Sequence, residues 1–105
     1  MINNSEGRKM REFQDRIREF IGTYQLEDTA EMRFLSLVSE IGALSKEIMM
    51  ATDYGYEDID ATDEIIEELG DVIFATLNLC NILGVDAASA LNAALSRYEK
   101  KFQGR

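Results

Sequence analysis

The absence of proline is the feature that most restricts what this chain can fold into. Proline is the residue that most strongly interrupts helices, and none occurs among the 105 residues. Alanine, leucine, isoleucine, glutamate and methionine are abundant instead, a composition that favours helices throughout. The sequence therefore predicts an all-α protein, and its length predicts that residues 1–105 form one domain.

Four helices are expected, because apolar residues recur at helical spacing in four segments separated by capping or breaking residues. Short connections of this kind are typical of a four-helix bundle-like subunit with antiparallel neighbours. The residues expected to cap or end the helices are Asn4 or Ser5, Gly22 with Thr23, Asp28 to Glu31, Asp53 to Asp58, Asp60 or Thr62, Gly84 and Asp86.

Each helix carries an apolar stripe that is expected to face a core. The third helix is apolar nearly all round from Val72 onward, which is typical of a helix buried on several sides. The stripe of the second helix is predicted to be buried and consists of Phe34, Leu37, Val38, Ile41, Leu44 and Ile48.

Charge and composition limit the partners. The formal net charge of -9 argues against a nucleic-acid polymer or an anionic membrane as the main partner. The first residues contain no apolar secretory segment, and the apolar run from Val72 to Leu83 is too short to span a bilayer. We therefore expect a soluble, cytoplasmic protein.

The missing histidine and the single cysteine restrict the chemistry. Without histidine, the commonest general base and the usual zinc ligand are both absent. Cys80 lies in an apolar run, and no imidazole exists to activate it, so it is interpreted as a small core residue rather than a nucleophile.

Carboxylates are the strongest chemical signal in the chain. Glu68 and Asp71 are three residues apart, so they project from one helix face and can approach a common divalent ion. Glu40 lies on a similar ridge of the second helix, and antiparallel packing would bring it alongside to complete an oxygen-only site. Acidic residues early in a helix are also favoured by the helix dipole, which can explain Glu64 and Glu67 without a ligand. Asp71 is different, because it lies in the helix interior just before an apolar run.

The segment from Glu67 to Phe74, followed by Asn78 to Asp86, resembles the second motif of the MazG-type nucleoside triphosphate pyrophosphohydrolases. Glu40-Ile41-Gly42, followed by Leu44, resembles the first motif of that family, whose pattern is Glu-x-x-Glu, a spacer and Glu-x-x-Asp. The closing segment from Arg97 to Phe102 is similar to the basic-aromatic end of the family's last helix. The resemblance extends from about Phe34 to Phe102.

This resemblance implies an enzyme that hydrolyses a nucleoside triphosphate to the monophosphate and pyrophosphate, for house-cleaning of non-standard or excess nucleotides. It implies magnesium as the cofactor, with manganese as a possible substitute, and an all-α homodimer or homotetramer. Glu40, Glu68 and Asp71 would be the catalytic and metal-binding residues. Carboxylates would hold hard cations that neutralise the triphosphate oxygens while a water attacks the α-phosphorus.

The chain departs from the family pattern at Ala43, which stands where the first motif has its second glutamate. Glu47 is the obvious substitute on the same ridge, but it lies about 10 Å of helix rise from Glu40, too far for both to bind one ion directly. Two alternatives follow from this departure. Either the enzyme uses a reduced ligand set that includes Glu47, or the chain is a nucleotide- or metal-binding homologue with weakened catalysis. A purely structural helical oligomer is the third alternative.

The sequence indicates the substrate-binding residues less clearly than the metal ligands. Arg97 and Lys100 can bind phosphate oxygens, although cations near a helix C-terminus are also favourable without a ligand. Tyr98 belongs to the same basic-aromatic segment, and Tyr54 can stack on a nucleobase, although either ring can simply pack. Asn78 lies two turns beyond Asp71 and can hydrogen-bond sugar or phosphate, or satisfy a neighbouring helix or subunit.

Overall fold

Four α-helices and no strands make up the described part of the chain, residues 1–104 of a computed structural model. The helices are α1 (Asn4–Thr23), α2 (Ala30–Ala51), α3 (Asp63–Leu83) and α4 (Ala87–Gln103). The predicted all-α class and the number of helices are therefore confirmed. None of the four helices in this range has the length and apolar character of a membrane span, although α3 and α4 together meet that test as a bent pair.

Local capping explains where the helices begin. The α1 cap is Asn3, one residue before the expected position, because Asn3 and Glu6 form a reciprocal capping box. Thr29 caps α2 by accepting a hydrogen bond from the Met32 amide. In the same way the Thr62 hydroxyl accepts from the amide of Ile65 at 3.2 Å.

The connection between α3 and α4 follows the sequence prediction. Gly84 adopts a φ of 68°, a left-handed conformation that glycine adopts at little cost, and so ends α3. Asp86 then caps α4 by accepting hydrogen bonds from the amide and the hydroxyl of Ser89. The bond from the Ser89 hydroxyl holds the pKa of the Asp86 carboxyl below its usual value.

The chain divides into two compact units. The terminal unit contains Met1–Glu27 and the segment from Cys80 onward, and the central unit contains Asp28–Leu79. In the terminal unit, Ile17 and Ile21 of α1 are buried, as are Ala87 and Ala88 of α4. The single domain predicted from the chain length stays a prediction.

Gln14 joins the parts of the terminal unit and is 5% exposed. Its Nε2 donates to Asn81 Oδ1 and to the Val85 carbonyl, each at 3.0 Å. Its Oε1 accepts from the amide of Ala87 at 3.0 Å, and its backbone carbonyl accepts from Asn81 Nδ2 at 2.9 Å. A buried amide with every group paired thus fixes α1 against the α3–α4 connection.

The central unit buries far fewer apolar side chains than its sequence predicts. Ile65 and Ala75 of α3 are buried, but α2 has no buried residue. The stripe expected to be buried on α2 is therefore partly wrong for the single chain, since Phe34, Val38 and Ile41 are about half exposed. The prediction that α3 is buried on several sides fails similarly at Ile73, which is 58% exposed.

Candidate metal centre

The central unit brings three carboxylates together from two helices. Glu40 lies near the middle of α2, and Glu68 and Asp71 lie one turn apart in the first half of α3. One oxygen atom from each carboxylate lies within 4.8 Å of the other two. Glu40 and Glu68 are half-buried, whereas Asp71 is exposed. The sequence prediction that these three residues converge agrees with the geometry of the central unit.

Electrostatics at this cluster favour a cation. Burial raises the pKa of the Glu68 carboxyl. The hydrogen bond that its protonated form donates to Glu40 and the negative charges of Glu40, Asp71 and Glu67 raise it further. Among the described residues, the buried Oε2 atom of Glu68 has no hydrogen-bond partner. A buried carboxylate oxygen without a partner, beside two further carboxylates, is an environment that a bound cation would stabilise.

The donor set fits a hard divalent ion. All three ligands are carboxylate oxygens, which Mg²⁺, Mn²⁺ and Ca²⁺ prefer, and no sulfur or imidazole is present in the cluster. Oxygens on opposite sides of one Mg²⁺ ion lie about 4.2 Å apart, because each bond is about 2.1 Å long. The three oxygens all lie within 4.8 Å of one another, so side-chain rotations can bring them around one ion.

Two other positions on α2 bear on the number of ligands. Ala43 lies one turn after Glu40, is half-buried and offers no ligand atom. Glu47 is also half-buried but does not belong to the three-carboxylate cluster. Its role as a replacement metal ligand therefore stays a prediction.

Two of the expected substrate contacts lie in the central unit. Asn78 is only 3% exposed, and its Nδ2 has no partner among residues 1–104. A nucleotide can reach this amide only after the side chain or its neighbours move. Tyr54 is 69% exposed and has a φ of 56°, a backbone conformation that is uncommon for an aromatic residue. Neither residue has a demonstrated ligand, so both assignments stay predictions.

The other expected contacts lie on α4 in the terminal unit. Arg97, Tyr98 and Lys100 are all exposed. Lys100 lies in the last turn of α4, where a cation is favourable beside the unpaired carbonyls, so its position has a structural explanation as well as the predicted one. Substrate binding by these three residues also stays a prediction.

Burial raises the pKa of the Cys80 thiol, which agrees with its interpretation as a packing residue.

The fold and the site define an all-α protein with a candidate metal centre of three carboxylates, and a comparison with protein families gives its family. The model of the MazG nucleotide pyrophosphohydrolase domain matches residues 25–105. The chain therefore belongs to this family, which confirms the resemblance in its motifs and implies nucleotide pyrophosphohydrolase activity at the family level. Helix α1 precedes the matched range. Searches of curated proteins and of solved structures gave no significant match.

Gln14 is a structural polar residue that no motif in the sequence indicates. Its position was the available signal, because it precedes the buried Ile17 by three residues and Ile21 by seven, so it shares their helix face. A polar residue on a buried stripe requires hydrogen-bond partners, and these lie about 70 residues further along the chain, where sequence periodicity gives no indication of them.

Proposed function

We propose that this protein hydrolyses nucleoside triphosphates to nucleoside monophosphates and pyrophosphate with the help of magnesium. The single observation that carries the proposal is the convergence of Glu40, Glu68 and Asp71 within 4.8 Å in a chain that belongs to the MazG family. House-cleaning of non-standard or excess nucleotides, a cytoplasmic location and a homo-oligomeric state are parts of the same proposal. Manganese is the proposed substitute for magnesium.

The three carboxylates would hold the cation from two helices. Glu40 supplies a ligand from α2, and Glu68 and Asp71 supply ligands from α3. A bound magnesium ion would neutralise phosphate oxygens and make water easier to deprotonate. The role of the protein residues is to fix the positions of charge before substrate arrives, so that little reorganisation is needed during the reaction.

The reaction itself is a hydrolytic displacement. The oxygen of a water molecule, oriented by the carboxylates, forms a bond to the α-phosphorus, and the bond from that phosphorus to the oxygen bridging it to the β-phosphorus breaks. The bridging oxygen leaves with pyrophosphate, and the protons of the water pass to the two products or to solvent. Arg97 and Lys100 are proposed to bind phosphate oxygens, Tyr54 and Tyr98 to contact the nucleoside, and Asn78 to bind sugar or phosphate after it becomes accessible.

The second candidate function is binding of nucleotide or metal with weakened catalysis. Ala43 favours it, because a methyl group replaces a carboxylate that the family motif provides and the cluster contains three ligands. A site with fewer negative ligands holds a divalent ion less tightly. Turnover can therefore be lost while binding of a metal–nucleotide complex persists.

A panel of ordinary and modified nucleoside triphosphates tests these functions. Each triphosphate is incubated with the full chain and Mg²⁺, and the products are separated and identified. Monophosphate with equimolar pyrophosphate supports the enzyme. Diphosphate with inorganic phosphate contradicts the proposed bond cleavage. If Mg²⁺ with nucleotide stabilises the chain against heat but no product forms, the result favours the binding protein. If there is neither product nor thermal stabilisation, the result favours a structural role.

Restoring the missing carboxylate is expected to strengthen the metal site. Ala43→Glu places a fourth acidic side chain one turn from Glu40, and we expect the affinity for Mn²⁺ or Mg²⁺ to rise by about tenfold or more. Isothermal titration with each metal measures the change. Ala51→Glu, further along α2, is the control and should leave the affinity unchanged. An Ala43→Glu variant with unchanged or weaker metal affinity would show that this position does not face the site.

A further inference from the structure

A pocket of about 270 Å³ lies within the terminal unit, between α1 and the connection from α3 to α4. On α1 it is lined by Arg11, Gln14 and Arg18, which share one helix face because their spacing is three and four residues. Residues of the last turn of α3 and of the connection, between positions 80 and 86, line the rest. The pocket has no residue in common with the candidate metal centre, and α1 precedes the residues that match the family.

Charge is distributed unevenly between the two units. The terminal unit contains nine basic and seven acidic residues, which gives a formal charge of +2. The central unit contains two basic and 13 acidic residues, which gives -11. All of the net negative charge of the chain therefore comes from the central unit, and an anion meets a weakly positive environment at the terminal unit.

The uncharged acceptors that line the pocket already accept hydrogen bonds within the chain. Asn81 Oδ1 accepts from Gln14 at 3.0 Å and from Arg18 at 3.1 Å. Gln14 Oε1 accepts from the amide of Ala87, and the carbonyl of Val85 accepts from Gln14 Nε2. A ligand that donates hydrogen bonds therefore finds these acceptors occupied.

The two guanidinium groups, in contrast, keep donors for a ligand. Arg11 lies 3.6 Å from Asp86 Oδ2, which is long for a hydrogen bond, and that oxygen already accepts from the amide and the hydroxyl of Ser89. Arg18 donates to Asp15 at 2.7 Å and to the amide oxygen of α3, which leaves three of its five N–H groups. Both arginine side chains are more than half exposed, so a ligand can reach them from solvent.

Phosphate is the anionic group that this arrangement fits best. Arg11 and Arg18 are separated by about 10 Å of helix rise, so their guanidinium groups approach the pocket from two positions. A phosphate group has oxygens in several directions and can accept from both, whereas a carboxylate has two coplanar oxygens that one guanidinium can satisfy. Asp15 lies in the same pocket, but its side chain is 71% exposed, so solvent screens its repulsion of an anion.

We propose that this pocket binds a small phosphate-bearing anion, which Arg11 and Arg18 hold together. The volume of the pocket is just below the range of roughly 300–1,000 Å³ that is usual for small-molecule sites, so a compact ligand fits. The hydrogen bonds of Gln14 fix α1 against the connection and so set the positions of both arginines before the ligand arrives. The inference goes beyond the proposed hydrolysis, because it uses no residue of the metal centre and requires no metal.

The test titrates the full chain by calorimetry in buffer freed of divalent ions with a chelating resin, so that no metal bridges the ligand to the carboxylate cluster. Inorganic pyrophosphate and a nucleoside monophosphate are titrated separately, since either can supply the phosphate group, and tighter binding of one identifies the source. We expect a dissociation constant below about 1 mM for at least one of them. Succinate should bind at least about tenfold more weakly than the better phosphate ligand.

Three variants locate the binding. Arg11→Gln and Arg18→Gln should each raise the dissociation constant by about tenfold, because each removes charged hydrogen bonds to the ligand. Arg16→Gln is the matched control, because Arg16 is also an exposed arginine of α1 but does not line the pocket. It loses the same charge and should change the dissociation constant by less than about twofold. Circular dichroism and thermal melting without ligand check that each variant is folded, and the two pocket variants replace each other if one is not.

Cys80 supplies a second measurement, because it lines the pocket and is the only cysteine in the chain. A saturating phosphate ligand should slow the alkylation of Cys80, followed by mass spectrometry at alkaline pH, in the wild type and in Arg16→Gln. Absence of binding up to about 10 mM would overturn the proposal, as would binding that appears only after Mg²⁺ is added. Equal affinity for succinate, or equal effects of Arg16→Gln and both pocket variants, would also overturn it.

Discussion

Asp71→Asn is expected to reduce kcat for pyrophosphate release by about 100-fold or more. The substitution preserves the size of the side chain but removes one of three negative charges that converge within 4.8 Å. Loss of about 3 kcal/mol of charge stabilisation at a metal-assisted phosphoryl centre corresponds to about a 100-fold loss of rate. Steady-state hydrolysis of the best triphosphate in the panel, at saturating Mg²⁺, measures the effect.

Glu64→Gln is the matched control for Asp71→Asn. Glu64 lies seven residues before Asp71 on the same side of α3, is exposed and does not belong to the cluster. It loses the same charge and should retain kcat within about twofold, since exposed charges have small effects through solvent. If Asp71→Asn and Glu64→Gln are equally active, the proposed metal centre is wrong. Thermal melting of both variants, without metal, separates a local effect from loss of folding.

The parts of the fold that could be predicted depend on interactions within one or two helical turns. Thr29, Thr62, Gly84 and Asp86 act as caps because a side chain or a left-handed backbone satisfies groups only a few residues away. The α1 boundary was missed by one residue because Asn3, rather than its neighbours, has a glutamate at the position that completes a capping box.

The candidate site was predictable for a related reason. The spacing of Glu68 and Asp71 fixes their common direction within one helix. Glu40 lies on α2, the preceding helix, which the connection of residues 52–62 joins to α3, and it lies near both of them. Periodicity alone could not determine whether Glu47 joins the cluster, because that depends on the crossing of the two helices rather than on either helix. The predicted burial of the α2 stripe was partly wrong for a different reason. Apolar spacing indicates that Val38 and Ile41 share an apolar face, but it does not indicate whether residues of the same chain pack against that face.

Gln14→Ala is expected to destabilise the protein by about 2–4 kcal/mol, one of the largest effects available to a single substitution outside the metal centre. The change removes three hydrogen bonds made by the side-chain amide and opens a cavity at a position that is 5% exposed. It leaves the amide of Ala87 and the carbonyl of Val85 without these partners. Because about 1 kcal/mol shifts the melting temperature of a domain of this size by about 4–8 °C, we expect Tm to fall by about 10–30 °C.

Gln14→Glu distinguishes hydrogen bonding from packing, because it preserves the shape of the side chain. The acceptor Oε1 can still bind the Ala87 amide, but a carboxylate oxygen replaces the Nε2 donor and faces two acceptors, Asn81 Oδ1 and the Val85 carbonyl. We therefore expect Gln14→Glu to be destabilised as well, and more strongly at neutral pH than in acid, where a protonated carboxyl can donate one bond again. Gln103→Ala, at an exposed position of α4, should change stability by less than about 0.5 kcal/mol. A Gln14→Glu variant as stable as the wild type at neutral pH would show that packing, rather than the paired amide, fixes α1 to the α3–α4 connection.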